Sequence, residues 1–155
     1  MQRTARLESW IASYGNDHRN PVNHAIHMVC IPLIVFSSLG LLNWIPAHLT
    51  LLNHAVGFGD LGMVLLLAFF ARHDLRLALL ALPFAALMVV GARYLPPLAH
   101  LAIFAAAWIA QFFGHGLWEK NRPSLMSNLV SLFVAPAFLL DGLMSGRTVK
   151  QSWED

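Results

Sequence analysis

The chain alternates long apolar stretches with short polar breaks. Ahead of the first long stretch, Leu7, Trp10, Ile11 and Tyr14 recur at helical spacing among Arg3, Arg6 and Glu8. That pattern predicts a short amphipathic helix at a membrane interface. Its charges rule out the continuous apolar core of a signal peptide. Asn16 to Pro21 is a polar break, and Asn20-Pro21 reads as an N-cap followed by proline at the first helical position. Residues 22–45 then form a stretch long enough to span, since a transmembrane helix needs about 20 apolar residues. Trp44-Ile45-Pro46 closes it with an interfacial aromatic and a helix breaker.

Residues 49–71 are a second, weaker span, interrupted by Asn53, His54 and Asp60; Gly57, Gly59 and Gly62 in it suit close helix contact. Arg72-His73-Asp74 and Arg76 make a polar turn. Residues 75–94 form a third span that tolerates Pro83, and residues 98–118 a fourth, with Pro96-Pro97 between them. The charged turn Glu119-Lys120-Asn121-Arg122-Pro123 follows. Residues 124–144 are a fifth apolar stretch, broken by Pro136 and carrying Asp141, before a polar tail. Arg3, Arg6 and Arg19, then Arg72 and Arg76, then Lys120 and Arg122 fall on one side of an alternating topology, which places the N-terminus in the cytoplasm. A clean fifth span would put Arg147 and Lys150 on the wrong side, so 124–144 is expected to be re-entrant or bent back, with a true fifth span as the alternative. The predicted fold is an all-α, polytopic transmembrane bundle. It comprises four spans, this last segment and the amphipathic helix, in one integral membrane domain over residues 1–155.

Composition agrees. The chain is 57% hydrophobic and 12% charged, where soluble domains carry roughly 25% charge. Such a chain cannot cover a water-facing surface with polar groups, whereas lipid removes that need. A net charge of +2, widely dispersed, argues against a nucleic-acid partner. The single cysteine, Cys30, excludes an intrachain disulfide. Short polar tails favour a bacterial inner membrane over the endoplasmic reticulum, and a homo-oligomer is compatible with the chain.

The topology also sorts the histidines. His18, His24, His27, His73 and His115 fall at the cytoplasmic face; His48, His54 and His100 fall at the other. An interfacial histidine is ordinarily an amphipathic residue half in water, and that reading is kept for His48, His54, His73 and His100. His18, His27 and His115 differ, because each sits among other polar groups. Asn23 and His27 are four residues apart, and so are Gln111, His115 and Glu119, which puts each set on one helix face. Polar groups at membrane depth are costly and face the protein interior. Neutral imidazole is a common ligand for zinc, iron and copper. His27 lies about 10 Å along its helix from Asn20, so His18 can share an ion with it only if the preceding chain folds back. His24 is the local substitute if it does not. No two-histidine zinc-protease motif and no set of desaturase-type histidine boxes is present. Histidines near helix ends argue against a haem held mid-membrane. Histidines plus a carboxylate suit non-haem Fe(II), which leaves positions open for oxygen and substrate.

At these residues the sequence resembles a known family. His18-Arg19-Asn20-Pro21-Val22-Asn23-His24-Ala25-Ile26-His27, followed by Ile31-Pro32 and Phe36-Ser37, is similar to the N-terminal signature of the fungal 2-hydroxy fatty acid dioxygenase family, membrane proteins linked to α-oxidation in phytosphingosine breakdown. Gly114-His115-Gly116-Leu117-Trp118-Glu119-Lys120-Asn121-Arg122-Pro123-Ser124-Leu125, preceded by Trp108 and Gln111, resembles its second signature. Ala135-Pro136 with Phe138 resembles a looser third. Asn121 stands where better-known members carry a basic residue.

The resemblance implies an Fe(II)-dependent dioxygenase that shortens a 2-hydroxy fatty acid by one carbon, with molecular oxygen and a membrane lipid or fatty acid as partners. It implies His18, His27 and His115 as metal ligands. Asn20, Asn23 and Glu119 match the family's polar positions; Asn23 and Glu119 are the candidate catalytic groups, Glu119 as a fourth ligand or an acceptor orienting His115. Lys120 and Arg122 lie where a fatty-acid carboxylate would leave the bilayer and are candidate substrate-binding groups, although positive-inside anchoring explains them equally well. The competing readings are another histidine-ligated membrane metalloenzyme acting on lipids, either a hydroxylase or a hydrolase, and a non-enzymatic lipid-binding membrane protein.

Overall fold

A computed structural model of the chain describes residues 3–46, 49–51, 54–119 and 130–145. Four antiparallel helices form the body: α2 (Pro21–Asn43), α3 (Phe58–His73), α4 (Leu75–Ala92) and α5 (Pro97–Gly114). A short α1 (Ala5–Asn16) precedes them and α6 (Ser131–Ser145) follows. A π-helical turn, His115–Glu119, continues α5. The fold is a polytopic helical membrane bundle. Among the described residues, three helical segments are long and apolar enough to cross a bilayer: Pro21–Asn43, Leu75–Ala92 and Pro97–Trp118.

Local signals in the chain set the helix ends. The Asn20 side chain accepts from the Val22 amide at 2.9 Å and Pro21 begins α2, as the sequence predicts. Asp74 caps α4 by accepting from the Arg76 amide at 3.0 Å. Pro97 opens α5, where its missing N–H costs nothing.

The second span departs from expectation. Helix does not run from residue 49; Leu49–Leu51 and His54–Val56 pair as an antiparallel ribbon with Leu49 opposite Val56, and α3 starts only at Phe58. Asp60 explains the late start. Its carboxylate accepts from the Gly57 amide at 3.0 Å, closing the N-terminus of α3. The polar residue that interrupted the hydrophobic pattern is therefore a capping residue. α3 has 16 residues, about 24 Å of helix, short of the roughly 30 Å hydrocarbon core.

The apolar stripe of α1 is covered by protein. Leu7 is fully buried with Phe70, Leu77, Ala81 and Ala137, while Trp10 and Ile11 pack against the same cluster. The Thr4 amide donates to the His73 carbonyl at 2.9 Å, and Arg3 pairs with Asp74 at 3.0 Å and with Asp141 of α6. These carboxylates raise the Arg3 pKa, Asp141 most of all, while partial burial opposes them. α1 and α6 thus lie side by side across the bundle end that carries the N-terminus. The 15 residues of α6 make about 22 Å, shorter than the roughly 30 Å hydrocarbon core. The earlier part of the 124–144 stretch, like Arg147 and Lys150, lies outside the described residues.

Candidate metal centre

α2 and α5 share the most extensive helix–helix contact among the described residues, and two residues bring their ends together. Gly114 has no side chain where a Cβ would run into the Asn23 amide oxygen. Asn23 is fully buried. The last turn of α5 therefore sits directly against the first turns of α2, and His115, the next residue, comes level with His27.

His18 reaches the same point from outside the helices. Between Tyr14 and Asn20 the chain turns back along α2, the reversal that a shared ion requires. Tyr14 stacks on the His18 ring with centroids 4.0 Å apart. The His18 Nε2 lies 3.2 Å from the His27 Nε2, and the His115 Nε2 lies 3.2 Å from it on another side. All three imidazoles are buried, and their ligand atoms lie within 4.8 Å of one another.

Backbone carbonyls decide what these rings present. His18 Nδ1 donates to the Tyr14 carbonyl at 2.6 Å, and His27 Nδ1 donates to the Asn23 carbonyl at 2.8 Å. A neutral imidazole has one N–H, so each of these rings turns a bare Nε2 lone pair inward. Burial first, and then the neighbouring His27, push the His18 pKa down to about 3 despite the Tyr14 bond, so the ring is neutral. Two acceptor lone pairs at 3.2 Å repel unless a cation lies between them. Nitrogens held about 2.1 Å from a four-coordinate ion stand about 3.4 Å apart. The residues fit a metal ion, and the Nδ1–carbonyl bonds are the kind of support that orients metal-bound imidazole.

The other candidates divide. His24 is outside the cluster, with its ring against Phe138 at 5.6 Å. His73 bonds Thr4 Oγ1 at 2.8 Å and packs at a tilt against Phe69, as a structural interfacial residue does. Gln111 is buried beside His115. Beyond it the four-residue spacing to Glu119 no longer marks one helical face, because residues 115–119 form a π turn. The Glu119 side chain, Lys120, Arg122, His48 and the His54 side chain lie outside the described residues. The sequence pattern marks Tyr14 only as part of the amphipathic stripe and Gly114 only as part of the second signature, not as supports of the imidazoles. Tyr14 stands four residues before His18, and that spacing was the available signal.

The three imidazoles stand at one end of a cavity of about 320 Å³. Its wall runs along one face of α2 from His27 through Ile31 and Val35 to Leu42, and Trp108 and Gln111 of α5 line it too. Apart from the rings and a few polar groups, the lining is apolar.

Fold and site together define a multi-span helical membrane protein with a triple-imidazole centre at the mouth of an apolar cavity. The chain belongs to the 2-hydroxy-palmitic acid dioxygenase Mpo1-like family, whose model matches residues 4–147. It is 34% identical over 139 residues to the 2-hydroxy-palmitic acid dioxygenase MPO1 of Saccharomyces cerevisiae, covering 86% of this chain and 77% of that relative. No solved structure matches the chain.

Proposed function

We propose that this protein is a non-haem Fe(II) dioxygenase that shortens 2-hydroxy fatty acids by one carbon. The observation that carries the reading is the convergence of the His18, His27 and His115 Nε2 atoms at the polar end of an apolar cavity. It is supported by membership of a family described as 2-hydroxy-palmitic acid dioxygenase-like and by the yeast relative of that name.

In this reading His18, His27 and His115 hold the ion. Bound iron would supply the one-electron chemistry that lets molecular oxygen react with a lipid. Asn23 acts as a positioning residue: its carbonyl orients His27, and its side chain packs against Gly114. The Tyr14 carbonyl does the same for His18. Glu119 completes the ligand set or accepts from a ligand, and Lys120 and Arg122 pair with the substrate carboxylate where it meets water. The apolar wall takes the acyl tail, whose transfer to water costs about 0.8 kcal/mol per CH₂. The net change is R–CH(OH)–COOH + O₂ → R–COOH + CO₂ + H₂O: the C1–C2 bond breaks, C1 leaves as carbon dioxide, C2 becomes the new carboxyl carbon, and molecular oxygen is the oxidant reduced.

The test is elemental analysis of anaerobically purified protein, followed by mass spectrometry of 2-hydroxyhexadecanoic acid incubated with it in air. One iron per chain and an oxygen-dependent acid one carbon shorter are expected. Zinc in place of iron, or a hydroxylated acid of unchanged length, would overturn the assignment in favour of another metalloenzyme. Unchanged lipid and no bound metal would leave a lipid-binding protein.

A further inference from the structure

The far end of the cavity has a composition of its own. It is lined by Leu42 at the end of α2 and by Gly62 and Met63 in the first turns of α3. α3 carries three glycines near its start, and they differ. At Gly57 a Cβ would meet the Asn43 amide, and at Gly59 the Leu39 carbonyl, so both mark tight helix contacts. At Gly62 the nearest atom to an added Cβ is Leu42 Cδ1, at 4.0 Å. Gly62 does not serve close packing; its missing side chain leaves volume at the end of the cavity far from the imidazoles.

The dimensions give that volume a use. His27 and Leu42 are fifteen residues apart on α2, about 22 Å at roughly 1.5 Å per residue. A saturated chain with bonds of about 1.5 Å and angles near 111° advances about 1.25 Å per carbon. The distance from the imidazoles to Leu42 therefore accommodates a tail of about 16 to 18 carbons. A second apolar cavity of about 190 Å³ shares the wall made by Ile31, Val35, Met63 and Leu66, but its described lining contains no histidine. A substrate anchored at the imidazoles extends into the first.

We propose that Gly62, with Leu42 and Met63, forms the stop that sets acyl chain length, and that the absent side chain at Gly62 admits the last carbons of a long tail. This rests on the reading of the cavity as the acyl site of the dioxygenase. A leucine at Gly62 would project into this far end over about three methylenes, while the imidazoles, about 20 Å away along α2, stay untouched.

The experiment uses the full chain in lipid nanodiscs, loaded with Fe(II). kcat/KM is measured for saturated 2-hydroxy acids of 10 to 18 carbons with wild type, Gly62→Ala and Gly62→Leu. In parallel, unhydroxylated acids of the same lengths displace a fluorescent polyene fatty acid. Each methylene excluded is worth about fourfold, so Gly62→Leu should lose about 50-fold on the longest substrate. Acids about four carbons shorter should stay within twofold of wild type, with Gly62→Ala in between and Leu42→Ala shifting the preference the other way. An equal loss at every length, or an unchanged profile in protein that retains its iron, overturns the proposal. If the binding series shifts but no 2-hydroxy acid is turned over by any variant, the stop stands and the proposed reaction falls. If turnover occurs with unshifted profiles, the reverse holds; if the acids neither bind nor react, both fall.

Discussion

The bundle buries histidine at both ends, and the two ends treat it differently. Near the N-terminus of α2, His18, His27 and His115 turn nitrogens toward one another, and at least two of those nitrogens carry lone pairs. At the opposite end His100 is just as buried. Its Nε2 donates to the Ala92 carbonyl at 2.9 Å, and its ring fills a slot on α2 that exists because residue 40 is glycine. The polar groups around that end answer one another. Asn43 accepts from the Gly59 amide at 2.7 Å and donates to Asp60 at 3.2 Å, and Asp60 also pairs with Arg93. At one end the imidazole Nε2 is taken up by a backbone carbonyl; at the other the His18 and His27 Nε2 atoms, both acceptors, face each other. Burial does not mark a functional histidine. Two imidazole lone pairs facing each other, as those of His18 and His27 do, mark it.

The sharpest way to break this contrast is to remove one ring from each end. His115→Ala is expected to abolish iron binding and turnover with helicity retained, as read by elemental analysis and circular dichroism. His100→Ala is expected to keep its iron and lose stability by about 2–4 kcal/mol, the range for emptying a large buried side chain. Iron retained by His115→Ala would end the metal assignment.

Glycine substitutions at the two ends should separate in the same way. In Gly114→Ala the new methyl group meets the Asn23 amide and pushes the end of α5 off α2. Metal affinity should fall about 10- to 100-fold, the usual effect of disturbing the groups that support ligands. In Gly40→Ala the methyl group meets the His100 ring. The expected cost is about 1–3 kcal/mol of stability from overpacking, with metal affinity unchanged. Titration of metal against thermal denaturation in detergent distinguishes the two.

Acid should act on the metal-free centre through His18. Its pKa drops from the ordinary 6.5 to about 3 on folding, so between these values the unfolded chain binds the proton and the folded chain does not. Its contribution is complete above pH 6.5 and is lost progressively as pH falls toward 3. Denaturation midpoints across that window should flatten in His18→Asn. The smallest effect belongs to Arg93→Ala. This residue is 53% exposed and its ion pair to Asp60 spans 3.3 Å; such a pair contributes under about 1 kcal/mol and weakens with salt.

Much of this molecule was legible in the chain. Apolar run length and the proline and cap signals placed α2, α4 and α5 nearly to the residue, because in lipid each helix must satisfy its own backbone. Alternation of positive loops put His18, His27 and His115 at one end, and their polar company marked them as more than interfacial decoration. The 49–56 ribbon was not legible. Asp60 reads as an interruption of a span until the Gly57 amide it caps is seen. The α1 stripe likewise reads as lipid-facing until Phe70, Leu77 and Ala137 are found against Leu7.

What the chain determined by itself is the main helices and the end of the bundle to which each described imidazole belongs, since both follow from local hydrogen bonding and from transfer between water and lipid. Only the tertiary structure decided that the three Nε2 atoms meet. That depends on Gly114 admitting Asn23 and on the turn after Tyr14 swinging His18 back over α2. The meeting joins His27 to His115, 88 residues apart in sequence, and no periodicity encodes contacts between distant segments.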